Sequence, residues 1–266
     1  MISRKHGSLK YYQFEIFEGF PIIQGVFTRR GGVSPPPWDS LNIGGTVGDQ
    51  AGRVSENKGR LLGALGVEPR STYEVWQVHS ARVVKADSPL DSLQNIHKAD
   101  AVISDQPELI ILMRFADCVP IYLYDPVQRA VGLVHAGWQG TAKRAAGAAV
   151  RAMEEHFGSA PQELLAGIGP SIGPDHYQVG DEVYETFRAA FGGRADELFI
   201  DQGGLVKLDL WKANQLDLQQ TGVNQIEIGR ICTACHLDDW YSHRAERGET
   251  GRFGAVFGLK DAKGDG

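Results

Sequence analysis

The sequence predicts one mixed-sheet α/β domain, with α+β character, over residues 1–266. Short apolar runs rich in β-branched residues outnumber helical stretches. Several of these runs follow one another closely enough to form hairpins, which favours a mixed sheet over a doubly wound parallel one. No internal repeat, low-complexity segment or linker divides the chain, so one large domain is expected.

The predicted strands are β-branched and aromatic runs that end at turn residues. In chain order they are residues 11–17, 22–27, 72–79, 81–86, 101–104, 109–113, 119–124, 130–134, 164–168, 225–228 and 253–259. Residues 87–98 are predicted to be a loop, and residues 260–266 a frayed polar tail.

Four helices are predicted from apolar spacing and end signals. The first covers residues 49–65, with Asp49 as its N-cap and Gly66 as its stop. An alanine-rich helix follows at residues 141–157, with Thr141 as its N-cap. Residues 180–191 and 208–221 complete the set.

Composition excludes several classes of protein. The chain is 42% hydrophobic and 23% charged, and its net charge of −6 argues against a nucleic-acid or anionic-membrane surface. The N-terminal residues lack the apolar core of a signal peptide, and no segment has the roughly 18 apolar residues that a membrane helix needs. We therefore expect a cytoplasmic protein. Three cysteines are too few for a disulfide framework.

One cysteine and two histidines lie at comparable places in the predicted strand pattern. Cys118 precedes the run 119–124, while His79 and His135 each follow an apolar run and precede a turn containing serine or glycine. The helix predicted after His135 would also present free N–H groups to an anion. This arrangement predicts an active site at the strand ends.

Two imidazoles and one thiolate form a good ligand set for zinc. Three protein ligands leave a fourth position for water or substrate, and one thiolate leaves a net charge of about +1 that attracts an anion. The separations of 39 and 17 residues between His79, Cys118 and His135 match no short zinc motif. Buried structural histidines and an inert thiol therefore stay open as alternatives.

Two other chemistries suit the same residues. A blue-copper centre also uses histidine and cysteine, but it needs a weak axial ligand, and the internal methionines are only Met113 and Met153. Alternatively, Cys118 is a nucleophile with a histidine as its base, as in cysteine hydrolases. Asp117 beside it either orients a histidine, acts as a base or caps a turn.

The segment from Cys232 to His236 has the pattern Cys-x-x-Cys-His. The chain lacks the export signal that usually accompanies haem attachment to this pattern. A redox pair or half of a second metal site would be short of ligands, so two ordinary cysteines are expected.

Arginines near glycine turns are candidates for binding phosphate, because a guanidinium offers two parallel hydrogen bonds. Arg29 lies in Thr-Arg-Arg-Gly-Gly, and Arg244, Arg247 and Arg252 lie in one segment near the C-terminus. A solvated surface charge is the alternative for each.

The motifs together resemble the YfiH-type laccase-domain family, whose members are also named multicopper polyphenol oxidases. They run in family order over nearly the whole chain: Thr28-Arg29-x-Gly31-Gly32-Val33-Ser34, Ser40-Leu41-Asn42-Ile43-Gly44, Gln77-Val78-His79, Ala99-Asp100-Ala101, Ala116-Asp117-Cys118-x-Pro120, His135-Ala136-Gly137-Trp138-x-Gly140, Ile168-Gly169-Pro170 and Thr250-Gly251-Arg252. Ser80 and Gln139 stand where glycine and arginine are common in the family. Gln139 removes a positive charge that would favour an anion.

The resemblance implies a single α/β domain with a catalytic zinc held by His79, Cys118 and His135; a copper-dependent polyphenol oxidase stays open as an alternative. It implies phosphorolysis of purine nucleosides such as adenosine, inosine and methylthioadenosine; adenosine deamination is also attributed to the family. Some bacterial members are described as peptidoglycan-editing factors that act on cell-wall precursors. The site residues expected on this basis are, for catalysis, Cys118, His135 and Asp117, and, for substrate, Arg29, Asn42, Gln77, Arg244 and Arg252.

Overall fold

The structure, a computed structural model, describes residues 1–90 and 96–261. The predicted loop 87–98 and the predicted tail 260–266 therefore lie partly outside the described residues. The strands are β1 Ile2–His6, β2 Leu9–Gln13, β3 Ile22–Phe27, β4 Thr72–Tyr73, β5 Val83–Lys85, β6 Ala101–Ser104, β7 Ile110–Phe115, β8 Val119–Asp125, β9 Ala130–Ala136, β10 Leu165–Ile168, β11 Phe199–Gln202, β12 Leu205–Leu208, β13 Gln225–Ile228 and β14 Phe253–Leu259. The α-helices are α1 Ala51–Gly63, α2 Trp138–Ala142, α3 Ala145–Phe157, α4 Asp181–Phe191 and α5 Leu210–Gln220.

Two six-stranded sheets form the centre of the fold. Their strand orders are β1-β2-β3-β14-β7-β4 and β13-β10-β8-β9-β6-β5, and β11 pairs with β12 separately. Most neighbours are antiparallel, but β4 with β7, β5 with β6 and β10 with β13 are parallel. The predicted mixed-sheet α/β class is therefore confirmed, while the prediction of one domain over residues 1–266 stays a prediction.

Side-chain alternation explains the layers. Along β8, Ile121 and Leu123 pack with α3 and α5, whereas Tyr122 and Tyr124 belong to the aromatic core shared with the other sheet. On β7, Leu112 instead belongs to a third cluster with α1. Successive strand side chains point to opposite faces, so a strand buried on both faces has a continuous apolar run. The order of layers is helix, sheet, sheet, helices.

Two predicted strands are shorter than expected because side-chain amides take the place of ladder bonds. The predicted strand 11–17 ends at Gln13, and the Gln24 amide pairs with both backbone groups of Phe14 at 2.8 and 2.9 Å. The predicted strand 72–79 is regular only at Thr72–Tyr73. Farther along it, the Gln77 amide pairs with the backbone of Arg114 at 2.8 and 3.0 Å.

The predicted start of the alanine-rich helix is wrong. Helix α2 begins after Gly137, Thr141 is buried inside it, and Arg144 at φ 63° separates it from α3. Arg144 keeps this left-handed conformation while its guanidinium pairs with buried Asp217 at 2.7 Å. Since α2 has only five residues, it lacks the macrodipole expected of a longer helix, and we assign no anion site to it.

Smaller differences concern helix ends and polar strands. Helix α1 begins after Gln50 and ends at Gly63, so Asp49 is not its N-cap, although the Asp49 carboxylate accepts the Gln50 amide. Strands β1, β11 and β12 were not predicted. Strand β1 is mostly exposed and carries three basic side chains, which hides the apolar pattern of a strand. Within the described residues, none of the helices combines the length and apolar character needed to cross a membrane.

Candidate metal centre

His79, Cys118 and His135 come together in the structure. Their donor atoms lie within 4.8 Å of one another. The β8–β9 hairpin pairs Pro120 with His135, so the turn that carries Cys118 lies beside the C-terminal end of β9. His135 lies within β9, one residue before its end, and not after the strand as predicted.

The position of His79 depends on a buried carboxylate. His79 has φ 58°, and the backbone amides of Val78, His79 and Ser80 converge on Asp100 at 3.1, 3.0 and 2.6 Å. Consecutive amides around a left-handed residue form an anion-binding concavity. The Ser80 hydroxyl donates to the same carboxylate at 2.7 Å. Serine in place of the common glycine therefore adds a hydrogen bond to this turn.

Asp100 also orients the second imidazole. It is fully buried, and its carboxylate accepts from His135 Nδ1 at 2.9 Å. Burial opposes the charge of Asp100, but the hydrogen bonds from His135 and Ser80 lower its pKa to about 2. With Nδ1 bound in this way, Nε2 of His135 is the nitrogen left for a ligand or a metal.

Asp100 belongs to one of the family motifs but was not predicted as a site residue. Its position directly before β6, in Ala99-Asp100-Ala101, was the only signal. Nothing local in the sequence connects it with the turn at residue 79 or with His135.

Cys118 and His135 polarise each other. Burial disfavours the Cys118 thiolate, but the charge and hydrogen bond of His135 lower the pKa of the thiol to about 6. Burial likewise disfavours the imidazolium, yet Cys118 and Asp100 raise the pKa of His135 to about 9. Both shifts favour a thiolate and an imidazolium in the metal-free protein.

The donor set and its spacing fit a divalent cation. Cys118 Sγ lies 3.8 Å from His79 Nε2, close to the separation of about 3.5 Å that a tetrahedral zinc sets between sulfur and nitrogen ligands. Gly137 closes one side, because a Cβ there would lie 2.9 Å from both Cys118 Sγ and His79 Cδ2. Two histidines and one cysteine thus fit zinc and leave one coordination position.

Two of the predicted substrate residues lie in segments that reach the centre. Asp117, directly before Cys118, accepts the Arg244 backbone amide at 2.6 Å. The Arg244 guanidinium lies 4.9 Å from the ring centre of Tyr177. Arg252 donates through Nη1 to the Thr250 and Gly251 carbonyls, and its Nε and Nη2 have no hydrogen-bond acceptor among the described residues.

Arg252 interacts electrostatically with the same group. Burial lowers the pKa of the Arg252 guanidinium, while the negative charges of Cys118 and Asp117 oppose that decrease. A partly buried cation with free donors is suited to an anionic substrate.

The other predicted residues are held in protein contacts. Arg29 donates to Asp39, Leu237 and Glu246 and lies 4.4 Å from the Tyr241 ring centre. Most of its donors are used, so the geometry favours a structural role over substrate binding.

Asn42, Gln77 and Asp117 are similarly engaged. Buried Asn42 accepts the amides of Gly44 and Arg252, each at 2.8 Å. Both carboxylate oxygens of Asp117 are used, one by the Thr233 hydroxyl at 2.6 Å and one by the Arg244 amide. These contacts make the three residues supports of the site, and their predicted roles in binding or catalysis stay predictions.

Comparison with known proteins agrees with the motif pattern. A family model described as multi-copper polyphenol oxidoreductase laccase matches residues 23–260. "Purine nucleoside phosphorylase YlmD" of Bacillus subtilis is 34% identical over 91% of this chain and 90% of the relative. "Purine nucleoside phosphorylase" of Deinococcus radiodurans is 36% identical over 89% of each chain.

Solved structures show the same fold. The crystal structure of YlmD from Geobacillus stearothermophilus superposes with a TM-score of 0.91 at 32% identity, over 98% of this chain and 99% of the other. That of Bacillus licheniformis hypothetical protein YfiH has a TM-score of 0.89 at 33% identity, over 97% and 99%.

Proposed function

Because this chain belongs to the multi-copper polyphenol oxidoreductase laccase family, which includes the YfiH-type proteins, we propose that it is a purine nucleoside phosphorylase. The observation that carries the proposal is the convergence of His79, Cys118 and His135. The charge of Cys118 also acts on the partly buried Arg252 guanidinium, which adds a cation for phosphate to this metal-ligand set. Relatives named purine nucleoside phosphorylase support the same activity.

We propose zinc, held by His79, Cys118 and His135, as the cofactor. When bound, zinc supplies positive charge that attracts an anion and neutralises developing negative charge. The donors suit copper as well, but the weak axial ligand of a blue-copper centre is usually a methionine. Met113 is buried in the core between the sheets and Met153 in the core beside α3. This placement favours zinc over copper.

The arginines bind the phosphate. Arg252 presents Nε and Nη2, and Arg244 adds a guanidinium that is held over Tyr177. Phosphate attacks ribose C1′ as the C1′–N9 bond breaks, so ribose 1-phosphate forms and the purine leaves with the bond electrons. Holding the two reactants in line is the main contribution of the protein, because a positioned pair reacts as one molecule.

Tyr177 is a positioning residue for the nucleoside. Burial, together with the negative charges of Cys118 and Asp117, raises the pKa of its phenol well above the usual value. The hydroxyl therefore stays protonated at neutral pH and donates a hydrogen bond to a ribose or purine acceptor.

The purine base binds on the apolar surface that precedes His79. Trp76 and Val78, three residues and one residue before His79, are 48% and 38% exposed. An exposed indole face is suited to stacking a planar base. Inosine, adenosine and methylthioadenosine share the purine and ribose that these contacts would recognise.

A specific observation favours a second candidate, a cysteine hydrolase acting on cell-wall precursors. The Cys118 thiolate, the His135 imidazolium and the Asp100 carboxylate form a chain of contacts like a nucleophile, a base and an orienting group. This reading requires no metal. It predicts that metal-free protein is the active form.

The test is to incubate purified protein with inosine and phosphate and to measure hypoxanthine and ribose 1-phosphate. Zinc-loaded protein is expected to form both products, and His79→Ala is expected to lose zinc and activity together. Product formation by chelator-treated protein, or none by zinc-replete protein, would contradict the proposal. Adding adenosine in parallel separates adenine release from deamination to inosine.

A further inference from the structure

A second group of metal-ligand side chains lies outside the candidate centre. It consists of Asp175, His176, Cys232 and Cys235, called here the turn cluster, whose donor atoms all lie within 4.8 Å of one another. The sequence showed only the Cys-x-x-Cys half of it. The other half comes from a turn more than 50 residues earlier in the chain.

Parallel strand pairing brings the two halves together. Strands β10 and β13 are parallel neighbours, with Ile168 paired to Ile228. The pairing continues beyond the strands as a bridge between Ser171 and Cys232. Both turns therefore leave the sheet at the same edge, and each contributes two donors.

Two of the four distances match the edges of a zinc coordination tetrahedron, and the two that involve Asp175 are slightly shorter. From His176 Nδ1, Cys232 Sγ lies at 3.7 Å, Cys235 Sγ at 3.5 Å and Asp175 Oδ2 at 3.0 Å. Cys235 Sγ donates to Asp175 Oδ2 at 3.2 Å. Zinc bonds of about 2.3 Å to sulfur and about 2.0–2.2 Å to nitrogen and oxygen give edges of about 3.3–3.8 Å.

The surrounding backbone holds this spacing. Gly173 donates its amide to Cys232 Sγ at 3.2 Å. A Cβ on Gly173 would lie 2.6 Å from Asp175 Oδ1 and 3.1 Å from Cys232 Cβ. Only glycine allows the two turns to approach so closely. A backbone amide directed at a cysteine sulfur also stabilises a thiolate ligand.

We propose that the turn cluster is a second metal site that binds Zn²⁺ through four protein ligands. Two thiolates, one imidazole and one carboxylate complete a tetrahedron, which is typical of a structural zinc and leaves no position for substrate. Binding releases the thiol protons as the sulfur–metal bonds form. This proposal depends on the geometry of the turns and not on the proposed phosphorylase activity.

The turn cluster connects to the candidate centre on two sides. Tyr177 follows His176, and its ring contacts Arg244. Thr233 follows Cys232 and donates to Asp117, the residue before Cys118. A metal at the turn cluster therefore fixes the segments that position Tyr177 and Asp117.

The test is Co²⁺ titration of reduced Cys118→Ser protein, in which the first centre has lost its thiolate. We expect one equivalent of Co²⁺ to bind per chain and to produce the near-ultraviolet thiolate charge-transfer band of a site with two sulfur ligands. Introducing Cys235→Ser or His176→Ala is expected to weaken Co²⁺ binding by at least about 100-fold. His236→Ala is the matched control, an exposed histidine beside the cluster, and should retain the band.

Zinc content gives an independent measurement. Wild-type protein is expected to retain two zinc ions per chain after dialysis, and Cys235→Ser one, with circular dichroism confirming that both fold. If both forms carry the same number of zinc ions, the proposal is wrong. It is also wrong if thiol titration finds Cys232 and Cys235 free or joined in a disulfide in the zinc-saturated protein.

Discussion

Replacing Asp100 by asparagine tests how the first centre is oriented. Five donors converge on this carboxylate: the amides of Val78, His79 and Ser80, the Ser80 hydroxyl and His135 Nδ1. An asparagine presents an NH₂ group in place of one oxygen. Whichever way the amide turns, it faces at least one of these N–H donors and leaves it unpaired.

Two effects of Asp100→Asn follow from this geometry. Each unpaired buried donor costs about 1–3 kcal/mol, so the free energy of unfolding is expected to fall by at least that amount. Loss of the partner of a metal-ligating histidine typically weakens metal binding about 10–100-fold. The second effect corresponds to about 1.4–2.7 kcal/mol.

The pH dependence has a defined sign. The pKa of Asp100 is lowered from 3.8 to about 2 in the folded protein. The charge of Asp100 therefore stabilises the fold above about pH 4, and this stabilisation is lost as the pH falls through about 2. The stability difference between wild type and Asp100→Asn should shrink over that interval.

The assay is competition for Zn²⁺ against a chromophoric chelator at pH 7, together with denaturant unfolding of metal-free protein. Asp105→Asn is the matched control, because among the described residues its carboxylate accepts only from the neighbouring Gln106 side chain, at 2.6 Å. Zinc affinity of Asp100→Asn within twofold of wild type would refute the orienting role. So would unchanged stability of the metal-free variant.

Four further predictions concern the same centre. In metal-free protein, the rate at which iodoacetamide alkylates Cys118 should rise with pH and reach its midpoint near pH 6. His135→Ala should raise that midpoint, and Zn²⁺ should protect the wild-type cysteine from alkylation. Arg252→Ala should raise KM for phosphate about tenfold or more and leave KM for inosine within about twofold, because it removes a charge-assisted contact. Trp76→Ala should instead raise KM for inosine by about tenfold, since stacking on an aromatic side chain contributes about 1–3 kcal/mol. Tyr177→Phe should lower kcat/KM for inosine while zinc content stays unchanged.

Each of these has a contrary outcome. An alkylation midpoint near pH 9 in the wild type would contradict the predicted thiolate–imidazolium pair. Equal changes in both KM values for Arg252→Ala would indicate a folding defect instead of a phosphate contact, as would a lower melting temperature. Val127→Ala, at a side chain that is 65% exposed, is the control for Trp76→Ala and should leave both KM values unchanged. Wild-type kinetics in Tyr177→Phe would show that the Tyr177 hydroxyl does not contribute to substrate binding.

The local pattern was sufficient for the bounds of several strands. The bounds of β3, β6 and β14, which are buried along most of their length, and of half-buried β13 are those predicted, because turn residues flank each run. The prediction failed where a side chain from a distant part of the sequence determines the backbone conformation. Asp217 pairs with Arg144 at the break between α2 and α3, and Gln24 ends the strand before Phe14.

The sequence by itself determined the family, the mixed-sheet class and the three residues of the first centre. Only the tertiary structure decided that Asp100 orients His135 and the turn at His79, and that Asp175 and His176 meet the two C-terminal cysteines. The physical reason is that helix and strand propensity act over a few residues. Side-chain donors and acceptors, in contrast, meet through sheet register and strand pairing between distant parts of the chain.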